Sequence, residues 1–315
     1  MKALICGVSG QDGAYLARLL LSHGYQVVGT SRDATVTNFA ALQRLGIRQQ
    51  VTTVSMAIND FRSVLSTLEK HEPDEIYNLA GQTSVGLSFE QPVETIDSVV
   101  GGTLNLLEAI RFTRRAIRFY NAGSGEAFGD TGHLPATEDT SFQPRSPYAV
   151  AKASACWLVR NYRESYGLAA CTGILFNHES PLRPERFVTK KIVLAAHRIK
   201  AGSDERLRLG NIDIQRDWGW APEYVAAMHA MMAAGAQRDY IVATGRTESL
   251  RYFVEKAFAY FDLDWLHHIE VDPAMLRPSD ILSSSACPDR IQRELGWAAS
   301  TDVDAVIARM CCDEL

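Results

Sequence analysis

KALICGVSGQDGAYLARLLLSHGYQVVGTS, residues 2–31, is the stretch that decides the fold. Residues 2–8 form a short unbroken apolar run that ends at glycine, the pattern of a buried strand. Residues 12–24 carry Tyr15, Leu16, Leu19 and Leu20 at helical spacing, and Gly24 stands where a helix C-cap belongs. Residues 25–31 read as a second strand. Strand, helix and strand within roughly 30 residues make a βαβ unit, which commits the chain to a parallel sheet.

Between the first strand and the helix, Gly7, Gly10 and Gly13 are spaced G-x-x-G-x-x-G. In that position the first glycine permits a tight turn and the second lets the backbone approach a pyrophosphate. The third lets the helix lie close on the sheet, and the helix N-terminus offers free N–H groups to an anion. The motif predicts dinucleotide binding, with Gln11 and Asp12 inside it and Leu79, at the end of a later strand, as further candidate contacts. The second strand runs into Thr30, Ser31, Arg32 and Asp33. A guanidinium at Arg32 suits a 2′-phosphate and favours NADP, while Asp33 keeps NAD open.

The alternation continues. Residues 61–73, 98–112 and 148–167 read as helices, and 75–81, 117–125 and 169–177 as strands. The expected fold is therefore α/β, a doubly wound parallel sheet of Rossmann type, with ligands at the carboxyl ends of the strands. After Asn177 the texture changes. Residues 178–187 are a loop rich in proline and charge, and 188–202 an amphipathic helix. Residues 207–232 read as strand, loop and helix, 239–245 as a strand and 250–262 as a helix. The expected division is a dinucleotide-binding domain over 1–176 and a smaller α/β substrate lobe over 177–315, with 211–245 partly returning to the first sheet.

Bulk properties exclude several classes. A net charge of −5 with mixed signs gives no basic surface for nucleic acid. No apolar run approaches the ~20 residues that span a bilayer, and the N-terminus lacks the apolar segment of a signal peptide. The six cysteines form no C-x-x-C pair and no Cys/His zinc spacing, so free thiols, no metal and a cytoplasmic location are expected.

Tyr148 and Lys152 stand at i and i+4 on a predicted helix whose first turn holds Pro147, so they share a face. A tyrosine has an ordinary pKa near 10, and a neighbouring ammonium stabilises its phenolate. The pair makes a general base for an alcohol proton as hydride leaves the same carbon. Upstream, Ser124 can hydrogen-bond the same oxygen. Glu126 is the more informative residue. A simple dehydrogenase or 4-epimerase needs no carboxylate there, whereas removal of a C–H proton beside a ketone does.

These residues carry a resemblance. The chain resembles the extended short-chain dehydrogenase/reductase family, and within it the GDP-mannose 4,6-dehydratases, through residues 7–21, 73–92, 102–111, 146–152, 161–167, 173–181, 187–192, 209–219 and 277–281. The segments GILFNHESP and RDWG carry the narrower likeness; the glycine loop and Y-x-x-x-K carry only the superfamily.

The resemblance implies a redox-neutral reaction on a GDP-sugar. Tyr148, helped by Lys152 and Ser124, deprotonates the 4-hydroxyl as C4 gives up hydride. Glu126 takes the C5 proton and assists loss of the 6-hydroxyl as water, and hydride returns to C6. It also implies that Asn177, Lys191, Arg216 and Arg277 meet the nucleotide or its diphosphate, and that the protein is a homodimer or homotetramer. A GDP-manno-heptose dehydratase and a nucleotide-sugar reductase or epimerase are the alternatives. The sequence departs from the family at Ser124-Gly125-Glu126, Phe128, Arg32-Asp33, residues 34–39 and Met56-Ala57-Ile58.

Overall fold

The computed structural model describes residues 1–276 and 278–315. The opening stretch folds as β1 (Lys2–Cys6), α1 (Gln11–Ser22) and β2 (Gln26–Ser31), with Lys2 opposite Gln26 and Cys6 opposite Thr30 in parallel register. The chain continues through α2 (Ala40–Arg44), β3 (Thr52–Ser55), α3 (Phe61–His71), β4 (Glu75–Asn78), α4 (Val85–Glu90), α5 (Pro92–Ile96), α6 (Gly102–Thr113), β5 (Arg118–Ala122), α7 (Pro147–Tyr166) and β6 (Ala170–Leu175). Then come β7 (Asn177–Glu179), α8 (Val188–Lys200), β8 (Leu207–Leu209), β9 (Gln215–Arg216), β10 (Trp218–Trp220), α9 (Ala221–Ala233) and β11 (Tyr240–Val242). The chain closes with β12 (Glu248–Ser249), α10 (Leu250–Ala259), β13 (Ile269–Val271), β14 (Ser283–Ser284), α11 (Asp289–Leu295) and α12 (Val303–Cys311).

Seven parallel strands form the central sheet in the order β11-β6-β5-β4-β1-β2-β3. The sheet is covered on both faces, which is why its strands read as continuous apolar runs rather than alternating ones. Ala3 and Ile5 point into a core shared with Leu16 and Leu20 of α1 and Tyr224 and Met228 of α9. Leu4 and Cys6 point the other way, to Val64 and Leu68 of α3, Leu106 and Ile110 of α6 and Val159 of α7. Each such aliphatic side chain, fully buried, contributes about 1.5–3 kcal/mol of transfer free energy.

Residues after 177 build a second lobe. Its core joins Ile192 and Ala196 of α8, Trp218 and Trp220, Phe253 and Phe258 of α10, and Ile307 and Met310 of α12. The segment read as strand, loop and helix over 207–232 divides further into β8, β9 and β10, and β7 pairs with β10, placing Asn177 opposite Trp218. Thus the loop expected from residue 178 begins as a strand. These strands are two or three residues long, and no periodicity is expressed over so short a span. α9 and β11 go back to the central sheet, where β11 pairs with β6. β3 also escaped the sequence reading: it is an edge strand, its Thr52 and Ser55 are exposed, and it lacks an apolar run.

Candidate active site

The carboxyl ends of β4, β5 and β6 open into one cleft of about 360 Å³, within the usual size of a small-molecule site. The catalytic candidates reach it from two directions. β5 ends at Ala122, and Ser124 then caps a short helical turn, its Oγ accepting a hydrogen bond from Glu126 N at 3.3 Å. A Cβ on Gly125 would stand 3.0 Å from the Phe176 ring, so close packing against that ring accounts for glycine between the serine and the glutamate. From the other side, Ser146 caps α7 by accepting from Ala149 N at 3.1 Å, and Pro147 occupies its first turn. Tyr148 and Lys152 therefore lie one turn apart on the buried face of α7.

Lys152 Nζ donates to Ala122 O at 2.7 Å and stands 5.7 Å from the centre of the Tyr148 ring. Burial draws the Lys152 ammonium down to about 8. Burial likewise pushes the Tyr148 phenol up to about 12, with a hydrogen bond from Ser124 pulling the other way and the Glu126 charge adding to the rise. The sequence reading expected the ammonium to lower the phenol. In the free protein burial of the phenol outweighs the groups that lower it.

Glu126 faces Arg216, whose Nε lies 4.0 Å from its carboxylate. Arg216 is itself buried, donates to the carbonyls of Gln215 and Ile281, and lies 3.9 Å from Asp280. Asn177 and Lys191 also line the cleft. Of the two adjacent lysines on α8, helix phase turns Lys190 toward Asp313, at 3.8 Å, and Lys191 toward the cleft, where Nζ donates to Arg208 O at 2.9 Å. Arg277 lies outside the described residues.

The glycine turn stands beside this cleft, with Asp12 and Leu79 on the shared wall. Gly7 has φ +83°, and a Cβ on Gly13 would come within 2.5 Å of Gly7 O. Gly10 caps α1 without any side-chain cap, leaving first-turn N–H groups for another acceptor. Arg32 is not on the cleft wall. It projects from the end of β2 with its side chain 86% exposed, 3.7 Å from Glu94. Asp33 is turned into its own loop, where Oδ1 accepts from Thr35 N at 2.8 Å and Thr35 Oγ1 at 2.6 Å.

The family model for GDP-mannose 4,6 dehydratase matches residues 4–310. The chain belongs to the GDP-mannose 4,6-dehydratase family. It is 41% identical to GDP-mannose 4,6 dehydratase 1 of Arabidopsis thaliana over 99% of this chain and 89% of that one. It is also 41% identical to the GDP-mannose 4,6-dehydratase of Sinorhizobium fredii, over 99% and 96%. Among solved structures, dTDP-glucose 4,6-dehydratase of Streptomyces venezuelae superposes with a TM-score of 0.88 at 22% identity, covering 99% of this chain and 96% of that one. That likeness is one of fold.

Several cleft residues of this GDP-mannose 4,6-dehydratase family member were not among the site residues expected from sequence. Thr83, Ser84 and Val85 follow β4, and their position at a strand's carboxyl end was the available signal. Arg183 and Arg186 flank the Phe187 ring, at 3.8 and 5.0 Å from its centre. His178 is buried between Asp12 and Tyr224. Its Nε2 is 2.9 Å from Asp12 Oδ2, its Nδ1 is 2.7 Å from Phe176 O, and its ring stacks 4.5 Å from that of Tyr224. No spacing rule links a helix start to a strand so far along the chain.

Proposed function

We propose that the protein converts GDP-mannose to its 4-keto-6-deoxy derivative using NADP, with Ser124, Glu126, Tyr148 and Lys152 as the catalytic set. The observation that carries this reading is Glu126 in the same cleft as the Ser-Tyr-Lys constellation, since only an elimination beside a ketone needs that carboxylate. When bound, a nicotinamide dinucleotide would supply the hydride acceptor and, later in the same turnover, the donor. The Gly7–Gly13 turn would hold its pyrophosphate, because a Cβ at Gly10 would meet only Gly7 O, at 3.5 Å, which leaves the backbone there open to approach, and the start of α1 has no side-chain cap.

Within the cleft, Tyr148 takes the 4-hydroxyl proton, Ser124 holds the same oxygen, and Lys152 stabilises the phenolate. Glu126 removes the C5 proton made acidic by the 4-ketone and delivers a proton to the departing 6-hydroxyl. Arg216 keeps the Glu126 carboxylate oriented. Asn177, Lys191, Arg216 and Arg277 are assigned to the nucleotide and its diphosphate, where Lys and Arg are the suitable partners. Purified protein incubated with GDP-mannose and, separately, with GDP-manno-heptose should yield the alkali-induced absorbance of a 4-keto product from GDP-mannose, with no added reductant. Product from the heptose alone would assign the longer sugar, and none from either would defeat the dehydratase reading.

Asp33 supports NADP over NAD by being committed to Thr35, while the exposed Arg32 remains within reach of a 2′-phosphate. Arg32→Ala should raise KM for NADP about tenfold, roughly the worth of one charge-assisted hydrogen bond, with little change for NAD. An unchanged NADP:NAD preference would remove Arg32 from the site.

A homo-oligomer is part of the same reading. α5, α6 and α7 pack side by side and leave Val93, Leu104, Phe112, Val150 and Trp157 exposed, with Trp157 at 57% and Phe112 at 66%. A second copy would cover this apolar surface. Leu104→Glu should shift the mass measured by light scattering toward the monomer, and a wild-type monomer would contradict the assignment. The six unpaired cysteines suit a reducing, cytoplasmic setting. Among the described residues, no helix is long and apolar enough to cross a membrane.

A further inference from the structure

The first turn of α1 has two sides. Its start belongs to the glycine turn assigned to the dinucleotide, and its two polar side chains contact the segment that begins with β7. Gln11 Nε2 donates to His178 O at 3.2 Å, and Ser180 Oγ donates to Gln11 Oε1 at 2.8 Å. Asp12 accepts from His178 at 2.9 Å through Oδ2 and from Gln11 Nε2 at 3.0 Å through Oδ1. Gln11, His178 and Ser180 are all buried.

Both ring nitrogens of His178 face acceptors, a carboxylate and the Phe176 carbonyl, an arrangement that favours the protonated imidazolium. The charged groups around it agree. Burial would lower the imidazole and Arg183 opposes its charge, yet Asp12 outweighs both and holds it above its ordinary value. Burial would likewise raise Asp12, but the charge and hydrogen bond of His178 bring it down to about 2. The contact is a part-buried carboxylate–imidazole pair flanked by two buried hydrogen bonds. It joins α1 to the residues directly after Asn177. Moving either segment alone would leave the buried polar groups of Gln11, His178 and Ser180 without their partners, which is costly, so the two segments move or stay together.

We infer that the Gln11/Asp12–His178/Ser180 clamp couples the two ligand sites, so that ordering of the glycine turn by a dinucleotide also orders the 177–180 strand for the GDP moiety. His178 and Ser180 are positioning residues in this scheme. The coupling is reciprocal: the factor by which NADP⁺ tightens GDP equals the factor by which GDP tightens NADP⁺. This inference rests on the proposed assignment of the cleft to a dinucleotide and a GDP-sugar.

The test is calorimetric titration of the whole protein with GDP, in the absence and presence of saturating NADP⁺. GDP should bind wild type about 5–150-fold more tightly when NADP⁺ is present. His178→Gln, which keeps a polar side chain but not the charge, should bring that factor close to one. It should change the affinity for GDP alone far less, a split that general loosening of the loop would not produce. Ser180→Ala removes only the hydroxyl on Gln11 and should lower the factor partway. It carries the test by itself if the histidine variant fails to fold. Binding of both ligands to wild type without mutual effect would overturn the coupling and leave the site assignment standing. Failure of wild type to bind either ligand would overturn the site assignment. A coupling factor unchanged in the folded variants would show that the clamp is not its carrier.

Discussion

Glu126→Gln protein is expected to lose formation of the GDP-4-keto-6-deoxy sugar by about 10²–10⁴-fold, the usual worth of a positioned general acid–base, while still exchanging hydride at C4. Glutamine keeps the shape and the hydrogen-bonding reach of the side chain toward Arg216, whose Nε lies 4.0 Å from the native carboxylate. What it cannot do is accept the C5 proton. In the proposed mechanism the first half of the reaction uses Tyr148, Lys152 and Ser124, which approach from α7 and the end of β5. Substrate deuterated at C4 should therefore still pass label to the dinucleotide, with the unchanged 4-keto-hexose as the species released. Retention of 6-deoxy product within a few-fold of wild type would place the elimination base elsewhere. It would also reopen the reductase or epimerase reading, in which nothing is asked of Glu126.

Tyr148→Phe should stop the reaction one step earlier. Removing the hydroxyl takes away the base at O4, so label exchange and product should fall together, again by about 10²–10⁴-fold. That pattern separates the two variants whatever their absolute rates. The pH dependence follows from the neighbouring lysine. Lys152 is drawn down to about 8 by burial, so its charged form is full below that pH and is lost as pH rises through it. With the phenol pushed up to about 12 by burial, the proposed mechanism depends on that charge to make the phenolate accessible. Wild-type kcat/KM should accordingly decline as pH rises past about 8, and Lys152→Met should be slow with no such decline. A wild-type profile flat to strongly alkaline pH would contradict the assigned role of the ammonium.

The parts legible in advance were those written in local periodicity. The 2–31 unit, the long helix carrying Tyr148 and Lys152, and the apolar central strands could be read because their patterns run over a whole turn or a whole strand. β3 could not, since an edge strand with one neighbour does not require an apolar run. The fine structure of the second lobe was hidden for a related reason: β7, β9, β10, β12 and β14 are held by their pairing partners, not by their composition. In the site, the residue types were legible and their couplings were not. Arg216 was expected at a diphosphate, and the fold sets it beside Glu126. Lys190 and Lys191 are chemically identical in sequence, and the phase of α8 sends one to Asp313 and the other to the cleft.

From residue spacing alone came the parallel sheet, the turn shaped for a pyrophosphate and the Tyr–Lys pair on one helical face, because backbone geometry sets which neighbours share a side. Tertiary structure alone decided that Asp12 would meet His178, 166 positions away, and that the Tyr148 phenol would be raised more by burial than lowered by the groups around it. Contacts across such separations depend on where strand ends converge, and a side chain's proton affinity depends on what excludes water from it. Neither quantity is carried by a local pattern.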